Sequence, residues 1–419
     1  MPDVFEDRTS SEYLSRSHPE IYARMMRGNI GRISDRKTIH FCGLVNIGHG
    51  DGAVFLPRNS RYGTLQDRVS AARLLMKTLA RYGQDTITRK GETHEQGDTS
   101  HLASIIHELA HDFIREGVYT ERQQRRGRQS GKTDWKKTIA RSTPIFTPRG
   151  VAVFADPITT KFLDSRNNPL SKIHAAIMRE IAQVNSWWID GLEAEKASLE
   201  SFDTPDEPRA LWKSTLLRML PSLYASRATR TVRMLIRYLE GTSGSRLGEF
   251  YSGVEDFERV WEVILRQTLP SVEEGWNTRL PKPAYESHDG RRQFLKGGME
   301  MDVVMRESAD CLVILDAKYY GGKNIGSVPG TPDIVKQIVY RQALEAVLEK
   351  EGRRESVSNA FVLPWRATGG GPLSKAGLYH TITDFHPLGG DITIFYVDIL
   401  AAMQKYIARA RFITPPWLA

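Results

Sequence analysis

The sequence contains only two cysteines, Cys42 and Cys311, and each lies inside an apolar run. This scarcity argues against a framework of disulfide bonds and favours buried thiols in a reducing compartment. No apolar run reaches about 18 residues and no signal peptide is recognisable, so a membrane span is not expected and a cytoplasmic location is. Internal repeats and low-complexity segments are also missing, which excludes solenoid and fibrous architectures.

The composition is that of a globular protein, and its charge favours a partner that is a polyanion. Of the 419 residues, 40% are hydrophobic, and this length predicts two domains plus connecting helices. The formal net charge is +8. An excess of positive charge favours binding to a polyanion.

One apolar stretch, residues 311–320, predicts a β-strand that ends with an acid and an amine. Residues two apart in a strand share a face, so Asp316 and Lys318 are expected to point the same way. Residues 297–305 predict a second strand, and the polar connection between the two indicates a hairpin. This hairpin would place Asp302 beside Asp316.

Two carboxylates with a nearby lysine suit a hard divalent cation, because Mg²⁺ prefers oxygen ligands and commonly takes one or two carboxylates. A lysine beside the metal can hold the attacking water or the developing negative charge on phosphorus. The alternative is that Asp316 and Lys318 form an ordinary ion pair at the end of a strand.

Helical patterns flank the predicted hairpin on both sides. Residues 254–265 have a helical period that places Glu258 and Glu262 one turn apart. A helix after the hairpin carries Gln337 and Tyr340, three residues apart on one face. The alternatives are a solvated charge for Glu262 and a packing role for Tyr340.

This order of residues resembles the PD-(D/E)XK nucleases, and within them the McrC and LlaJI-type restriction subunits. The proline that often precedes the first aspartate of the motif is replaced here by Met301. The resemblance is strongest from residue 255 to about residue 348. It rests on these positions: Glu258, Asp302, Asp316-Ala317-Lys318, Gln337 and Tyr340.

The resemblance implies an endodeoxyribonuclease that requires Mg²⁺, for which Mn²⁺ can substitute. Asp302, Asp316, Glu258 and the Ala317 carbonyl would bind the metal, and Lys318 would position the nucleophilic water.

The same resemblance gives Gln337 and Tyr340 a role in orienting the site or contacting the DNA backbone. It implies double-stranded DNA as the substrate of a restriction system that defends against phage. It also implies a McrB-like AAA+ subunit that hydrolyses nucleotide.

The predicted fold class is α+β, with a C-terminal restriction-endonuclease-like α/β/α core around a mixed sheet. Residues 1–37 are expected to be a flexible arm. Residues 38–242 are expected to form an adaptor, a β-hairpin followed by a helical connector, that docks on the motor. Residues 243–419 would be the nuclease domain, and the Gly- and Ser-rich segment 241–245 would be the linker.

The string His107-Glu108-Leu109-Ala110-His111 fits the H-E-x-x-H pattern of zinc metalloproteases. No clear third ligand follows it, and the neighbouring apolar residues predict a packed helix with the histidines on its polar shoulder. A zinc metalloprotease and a non-catalytic DNA-binding adaptor are therefore the alternative functions.

The segment from Gly127 to Thr133 superficially resembles a phosphate-binding loop. Its glycines are one residue too close for G-x-x-x-x-G-K-T and no apolar strand precedes it, so nucleotide binding is not predicted. The arginines and lysines of residues 122–137 are either a loop that contacts phosphate or solvated charge.

Overall fold

The computed structural model describes residues 2–48, 51–60, 64–90, 99–128, 132–242, 249–282, 284–294, 298–319, 328–365, 373–379 and 390–413. These residues form a mixed fold in which helices alternate with strands of several sheets. In the described ranges, no helix is both long enough and apolar enough to span a membrane. Both cysteines are free thiols, with Cys42 buried and Cys311 half-buried.

The elements in the first part of the chain are β1 (Asp3–Glu6), α1 (Ser11–Ser17), α2 (Pro19–Arg27), β2 (Arg32–Ile33), β3 (Ile39–His40), β4 (Cys42–Gly48), β5 (Asp51–Leu56), α3 (Leu65–Lys90) and α4 (Ser100–Glu116). They continue with β6 (Glu121–Arg128), β7 (Lys132–Thr133), α5 (Trp135–Arg141), β8 (Ile145–Phe146), β9 (Ala152–Val153), β10 (Ile158–Ser165), α6 (Pro169–Asn185), α7 (Leu192–Glu195), α8 (Arg209–Met219) and α9 (Ser226–Gly241).

The elements in the remainder are β11 (Glu249–Val254), α10 (Phe257–Thr268), β12 (Ala284–Glu286), β13 (Arg292–Phe294), β14 (Val303–Ser308), β15 (Cys311–Ala317), α11 (Thr331–Lys350), β16 (Ser356–Trp365), β17 (Leu373–Tyr379), β18 (Ile392–Asp398) and α12 (Ile399–Ile407). Short 3₁₀ helices occupy Lys196–Ser201, Leu220–Ser222 and Trp276–Thr278.

A five-stranded sheet with the order β14-β15-β16-β18-β17 carries the predicted hairpin. β14 and β15 pair antiparallel, which confirms the hairpin, whereas β15, β16 and β18 run parallel to one another. All but the first residue of β15 is buried, as expected for a central strand covered on both faces. α10 and α11 both pack against β15.

A cluster of buried side chains joins α11 to this sheet. Leu312 and Ile314 of β15 and Val304 of β14 pack with Tyr340 and Leu344 of α11. Residues of even number in β15 share a face, so Asp316 continues the row of Leu312 and Ile314 beyond the apolar cluster. Asp316 therefore points to the side of the sheet on which α11 packs.

A second, four-stranded sheet has the order β1-β5-β4-β11. β4 and β5 form the predicted N-terminal hairpin, which the antiparallel register confirms. β11, which immediately precedes α10, pairs antiparallel with β4. The hairpin is thus built into the same sheet as the strand that leads to the predicted nuclease region.

The first 37 residues do not have the architecture of the predicted flexible arm. β1 pairs in parallel with β5, and the helices α1 and α2 bury Leu14 and Met25 completely. These side chains join a core cluster with Phe41, which precedes β4, and Phe55 of β5. The segment looked weakly periodic because its few apolar residues are divided between two short helices and a strand.

The chain separates into two compact units whose boundaries differ from the predicted ones. One unit comprises Met1–Ser104 with Arg246–Ala419, and the other comprises Ile105–Ser245. Local composition did not reveal this arrangement, because it arises from pairing between strands some 200 residues apart in sequence, Cys42–Gly48 and Glu249–Val254. Most of the predicted linker, residues 243–245, lies outside the described residues.

The unit Ile105–Ser245 contains the predicted helical connector as α6, α8 and α9, together with a three-stranded sheet of order β6-β10-β7. A buried carboxylate holds part of it together. Asp112 is 5% exposed and forms ion pairs with Arg227 at 3.0 Å and Arg230 at 2.7 Å.

Candidate active site

The carboxyl end of β15 presents an acid and an amine in direct contact. Asp316 is 1% exposed, and its Oδ2 atom lies 2.8 Å from the Lys318 Nζ atom. The same Nζ atom lies 2.9 Å from Oδ1 of Asp333, near the start of α11. Burial lowers the pKa of Lys318, but the hydrogen bonds and charges of Asp316 and Asp333 outweigh it and raise that pKa above its usual value. Lys318 is therefore a fixed cation.

Asp302 lies across the hairpin from Asp316, because the register pairs Val303 with Leu315. Its Oδ2 atom accepts a hydrogen bond of 2.8 Å from the Ala317 backbone N–H. Burial and then the charge of Asp316 raise the pKa of Asp302 to about 6. The two carboxylates predicted to converge are close enough to repel each other.

Arg266 of α10 holds Asp302 from the backbone side. Its Nε and Nη2 atoms donate hydrogen bonds of 3.1 and 2.8 Å to the Asp302 carbonyl. Sequence analysis did not identify this arginine, which lies one turn beyond Glu262 on the helix that supplies the acids.

Glu258 and Glu262 of α10 extend the acidic site. Burial raises the pKa of Glu258, Lys318 opposes this, and Asp316 adds to it. Burial, followed by the charges of Asp302 and Glu258, raises the pKa of Glu262 to about 7. A helix on one side and a hairpin on the other thus bring together buried acids whose charges add to the rise in one another's pKa.

The fit of this site to a metal ion rests on the pair Asp302 and Asp316. Within the described part of the chain, no three histidine, cysteine or acidic side chains form a complete metal-binding cluster. The predicted set that adds Glu258 is therefore not assembled as three converging ligands. Mg²⁺ needs only one or two carboxylates, however, and the hairpin register places Asp302 and Asp316 side by side at the end of β15.

α11 contributes a second lysine that the sequence analysis missed. Lys336 Nζ lies 3.1 Å from Oδ1 of Asp316 and 5.2 Å from the centre of the Tyr340 ring. Asp333, Lys336 and Tyr340 have the spacing i, i+3 and i+7, which places them on one face of a helix. This spacing was the signal that could have identified Lys336.

Gln337 forms no hydrogen bond to the acidic side chains in the described part of the chain. Its side chain is 0% exposed, and its amide forms no hydrogen bond within the described residues. The Gln337 backbone carbonyl instead accepts a hydrogen bond of 2.9 Å from Asn359 of β16. Successive residues of a helix differ by about 100° in direction, so Gln337 and Lys336 point to different neighbours.

Tyr340 contacts the backbone segment that precedes Asp302. Its hydroxyl donates a hydrogen bond of 2.7 Å to the Glu300 carbonyl and accepts one of 3.2 Å from the Glu300 N–H. The ring itself belongs to the apolar cluster between α11 and the sheet. Tyr340 is therefore both a packing residue and a clamp on the segment that leads into Asp302.

The residue after Lys318 is fixed by the N-terminal region. The Tyr319 hydroxyl accepts a hydrogen bond of 2.7 Å from the Arg58 N–H, and its ring lies 5.4 Å from that of Phe257. Asn59 donates a hydrogen bond of 3.0 Å to the Pro364 carbonyl of β16. Residues that follow β5 thus hold the carboxyl ends of both central strands.

The H-E-x-x-H string lies within α4. The rings of His107 and His111 are 4.4 Å apart, and His107 stacks on Trp188 at 6.0 Å. The described ranges supply no third metal ligand to these histidines. Within the part of the chain that the structure describes, the zinc metalloprotease alternative therefore has no complete set of ligands.

Comparison with known proteins matches most of the chain to one family. A family model described as LlaJI restriction endonuclease matches residues 41–371. A curated relative, the Type II restriction enzyme BsuMI component YdjA of Bacillus subtilis (strain 168), is 26% identical over 295 residues. This match covers 66% of the chain and 58% of the relative, so the chain spans little more than half of that protein's length.

Two solved structures also match. One is a refined half-complex from a tetradecameric assembly of Thermococcus gammatolerans McrB AAA+ hexamers with bound McrC, with 13% identity, 98% coverage of both chains and a TM-score of 0.43. The other is a cryo-EM structure of the Thermococcus gammatolerans McrBC complex, with 11% identity, coverage of 63% and 86%, and a TM-score of 0.29. Both TM-scores lie below 0.5, so a common fold does not follow from them.

Proposed function

Because the chain belongs to the LlaJI restriction endonuclease family, we propose that it is an endodeoxyribonuclease subunit of a restriction system. Its reaction would be phosphodiester hydrolysis in double-stranded DNA at the end of β15. The observation that carries this proposal is the convergence of Asp302, Asp316 and Lys318, with an Asp316–Lys318 distance of 2.8 Å. Together with α10 and the five-stranded mixed sheet, this arrangement supports assignment to the PD-(D/E)XK nucleases.

Asp302 and Asp316 would hold Mg²⁺ or Mn²⁺, with the Ala317 carbonyl and Glu258, through water, as further oxygen ligands. A divalent cation at such a site lowers the pKa of bound water and stabilises negative charge on the phosphate oxygens. The donor set suits this role, because all of these ligands are hard oxygen atoms.

Lys318 would act as a permanent positive charge beside the reacting phosphate. Its raised pKa keeps the amine protonated, so it is suited to orienting water and stabilising negative charge and not to removing a proton. Asp316 and Asp333 hold its ammonium group from two sides. Tyr340 would keep Asp302 in place through the backbone of Glu300.

The proposed partner is a McrB-like AAA+ subunit that hydrolyses nucleotide, and the proposed location is the cytoplasm. The partner follows from the resemblance of the catalytic residues to McrC and LlaJI-type subunits and from the spacing of Gly127 and Gly131, which does not fit a phosphate-binding loop. Residues 129–131 lie outside the described residues. A motor that delivers or strains DNA would help to align metal, water and phosphate.

A non-catalytic DNA-binding component is the second candidate. One observation favours it: both carboxylate oxygens of Asp316 face lysines, Lys318 at 2.8 Å and Lys336 at 3.1 Å. Such a component would bind DNA and cleave none.

Metal dependence separates the two candidates. The full chain, alone and with a McrB-like AAA+ subunit, is stripped of metal with a chelator and incubated with supercoiled plasmid. Nicking or cutting that returns with Mg²⁺ or Mn²⁺ supports the nuclease. DNA binding without cleavage under every metal and partner combination supports the non-catalytic component.

A further inference from the structure

The two lysines beside Asp316 are held in different ways. The Lys318 side chain is 10% exposed and is fixed between two carboxylates at 2.8 and 2.9 Å. The Lys336 side chain is 38% exposed and lies 3.1 Å from Asp316, which is its only carboxylate neighbour within ion-pair distance in the described ranges. Lys318 is thus locked in the site, whereas Lys336 can leave Asp316 for solvent.

Lys336 lies close enough to several acids of the site for its charge to influence their pKa values. The charges of Asp316 and Asp302 both act to raise the pKa of Lys336, against the lowering effect of its burial. The charge of Lys336 in turn lowers the pKa of Glu262, which burial and other acids raise. A single ammonium group therefore partly balances three acids.

The Tyr340 ring provides the Lys336 ammonium with a second favourable contact. The ammonium lies 5.2 Å from the ring centre, within the range of a cation–π interaction. Because Tyr340 is buried and tied to the Glu300 backbone, its ring is a fixed platform. When the ammonium leaves Asp316, this contact with the ring can therefore remain.

We propose that Lys336 is a displaceable internal cation that competes with the divalent metal ion for Asp316. Without metal, its ammonium balances the carboxylate, and binding of the metal releases it from Oδ1. Lys336 is a positioning residue in this scheme, and it sets the metal concentration at which the site is loaded. The inference rests on the proposed nuclease function, because it presumes that Asp316 is a metal ligand.

The test measures Mn²⁺ binding to the metal-free full chain by titration calorimetry, without DNA. Lys336→Met keeps the length of the side chain and removes its charge, Lys336→Arg keeps the charge, and Lys336→Gln is a second neutral variant. Lys350→Met is the matched control, because Lys350 is an exposed lysine at the end of the same helix. Circular dichroism checks that each variant is folded.

Both neutral variants are expected to bind Mn²⁺ about tenfold more tightly than the wild type, a change of about 1.4 kcal/mol. Lys336→Arg and Lys350→Met should stay close to the wild type. Mn²⁺ affinity that is unchanged or weaker in folded neutral variants overturns the inference and leaves the nuclease proposal intact. If Asp316→Asn does not reduce Mn²⁺ binding, or neither the wild type nor the neutral variants bind Mn²⁺, the proposed metal site itself is overturned along with the inference.

Discussion

The Lys318 ammonium bridges Asp316 and Asp333, at 2.8 and 2.9 Å, and thereby joins the end of β15 to the first turn of α11. Asp333 also accepts a hydrogen bond of 3.2 Å from the Gly330 N–H, which caps the helix. One aspartate therefore both begins the helix and holds the lysine. The contact between Lys318 and Asp333 therefore connects the proposed site at the end of β15 to α11, the helix that follows it in sequence.

Asp333→Asn should weaken both functions of this residue. We expect a loss of about 1 kcal/mol in the free energy of unfolding, because an amide is a poorer partner for Lys318 and the capping contact weakens. Cleavage should fall by about tenfold. Urea denaturation and plasmid cleavage measure the two effects, with Asp310→Asn in the exposed turn of the hairpin as the control. Equal effects of the two substitutions would contradict the assigned role.

Tyr340→Phe should reduce cleavage while preserving the fold. The substitution removes the hydroxyl that contacts Glu300 at 2.7 and 3.2 Å and keeps the buried ring. We expect a cost of about 1–2 kcal/mol in the free energy of unfolding and slower cleavage, because the segment before Asp302 loosens. Tyr285→Phe is the control, since Tyr285 is 63% exposed. Cleavage at the wild-type rate by Tyr340→Phe would exclude the clamp.

The stability of the metal-free protein should depend on pH through Glu262 and Asp302. Burial and the neighbouring acids raise the pKa of Glu262 to about 7 and that of Asp302 to about 6, above the usual values of 4.5 and 3.8, so the folded state binds more protons than the unfolded state between these limits. Stability should therefore decrease as pH rises from about 4 to about 7, as these carboxyl groups ionise.

Glu262→Gln should remove part of that dependence. At pH 8 we expect the variant to be more stable than the wild type by about 1 kcal/mol, after allowance for solvent screening. Thermal melts from pH 5 to pH 8 in the presence of a chelator measure the effect. Glu349→Gln, an exposed acid on α11, is the control. A variant with the same pH profile as the wild type would show that Glu262 titrates normally.

A chain lacking residues 1–104 should fail to fold the unit that carries the proposed active site. β11 would lose its partner β4, and Tyr319 would lose Arg58. Burial of apolar surface in the N-terminal cluster would be lost as well. Size-exclusion chromatography and thermal melts of the truncated chain test this expectation. A monomeric, cooperatively melting protein would show that the N-terminal region is a separable adaptor after all.

The sequence was informative where the relevant contacts are local. The Asp302–Asp316–Lys318 arrangement depends on one hairpin and on the alternation of a single strand, and both follow from the order of apolar and polar residues. The same reasoning found the N-terminal hairpin and the helices α6, α8 and α9.

Features that depend on distant packing could not be found in this way. The contact between α11 and the sheet determines which side chains of α11 face the site. The sequence alone therefore could not decide between Lys336 and Gln337 as the residue beside Asp316. Residues 1–104 belong to the same unit as the C-terminal region because β4 pairs with β11. No local sequence pattern predicts this pairing.

The central claim is that the end of β15 hydrolyses DNA, and the rate of plasmid cleavage by folded single-residue variants tests it most directly. The wild type, Asp316→Asn, Lys318→Met and the control Lys350→Met are compared at saturating Mg²⁺ with the AAA+ partner and its nucleotide. We predict that Asp316→Asn and Lys318→Met each lose at least about a thousandfold in rate while Lys350→Met retains the wild-type rate. Cleavage at the wild-type rate by a folded Asp316→Asn protein would contradict the account.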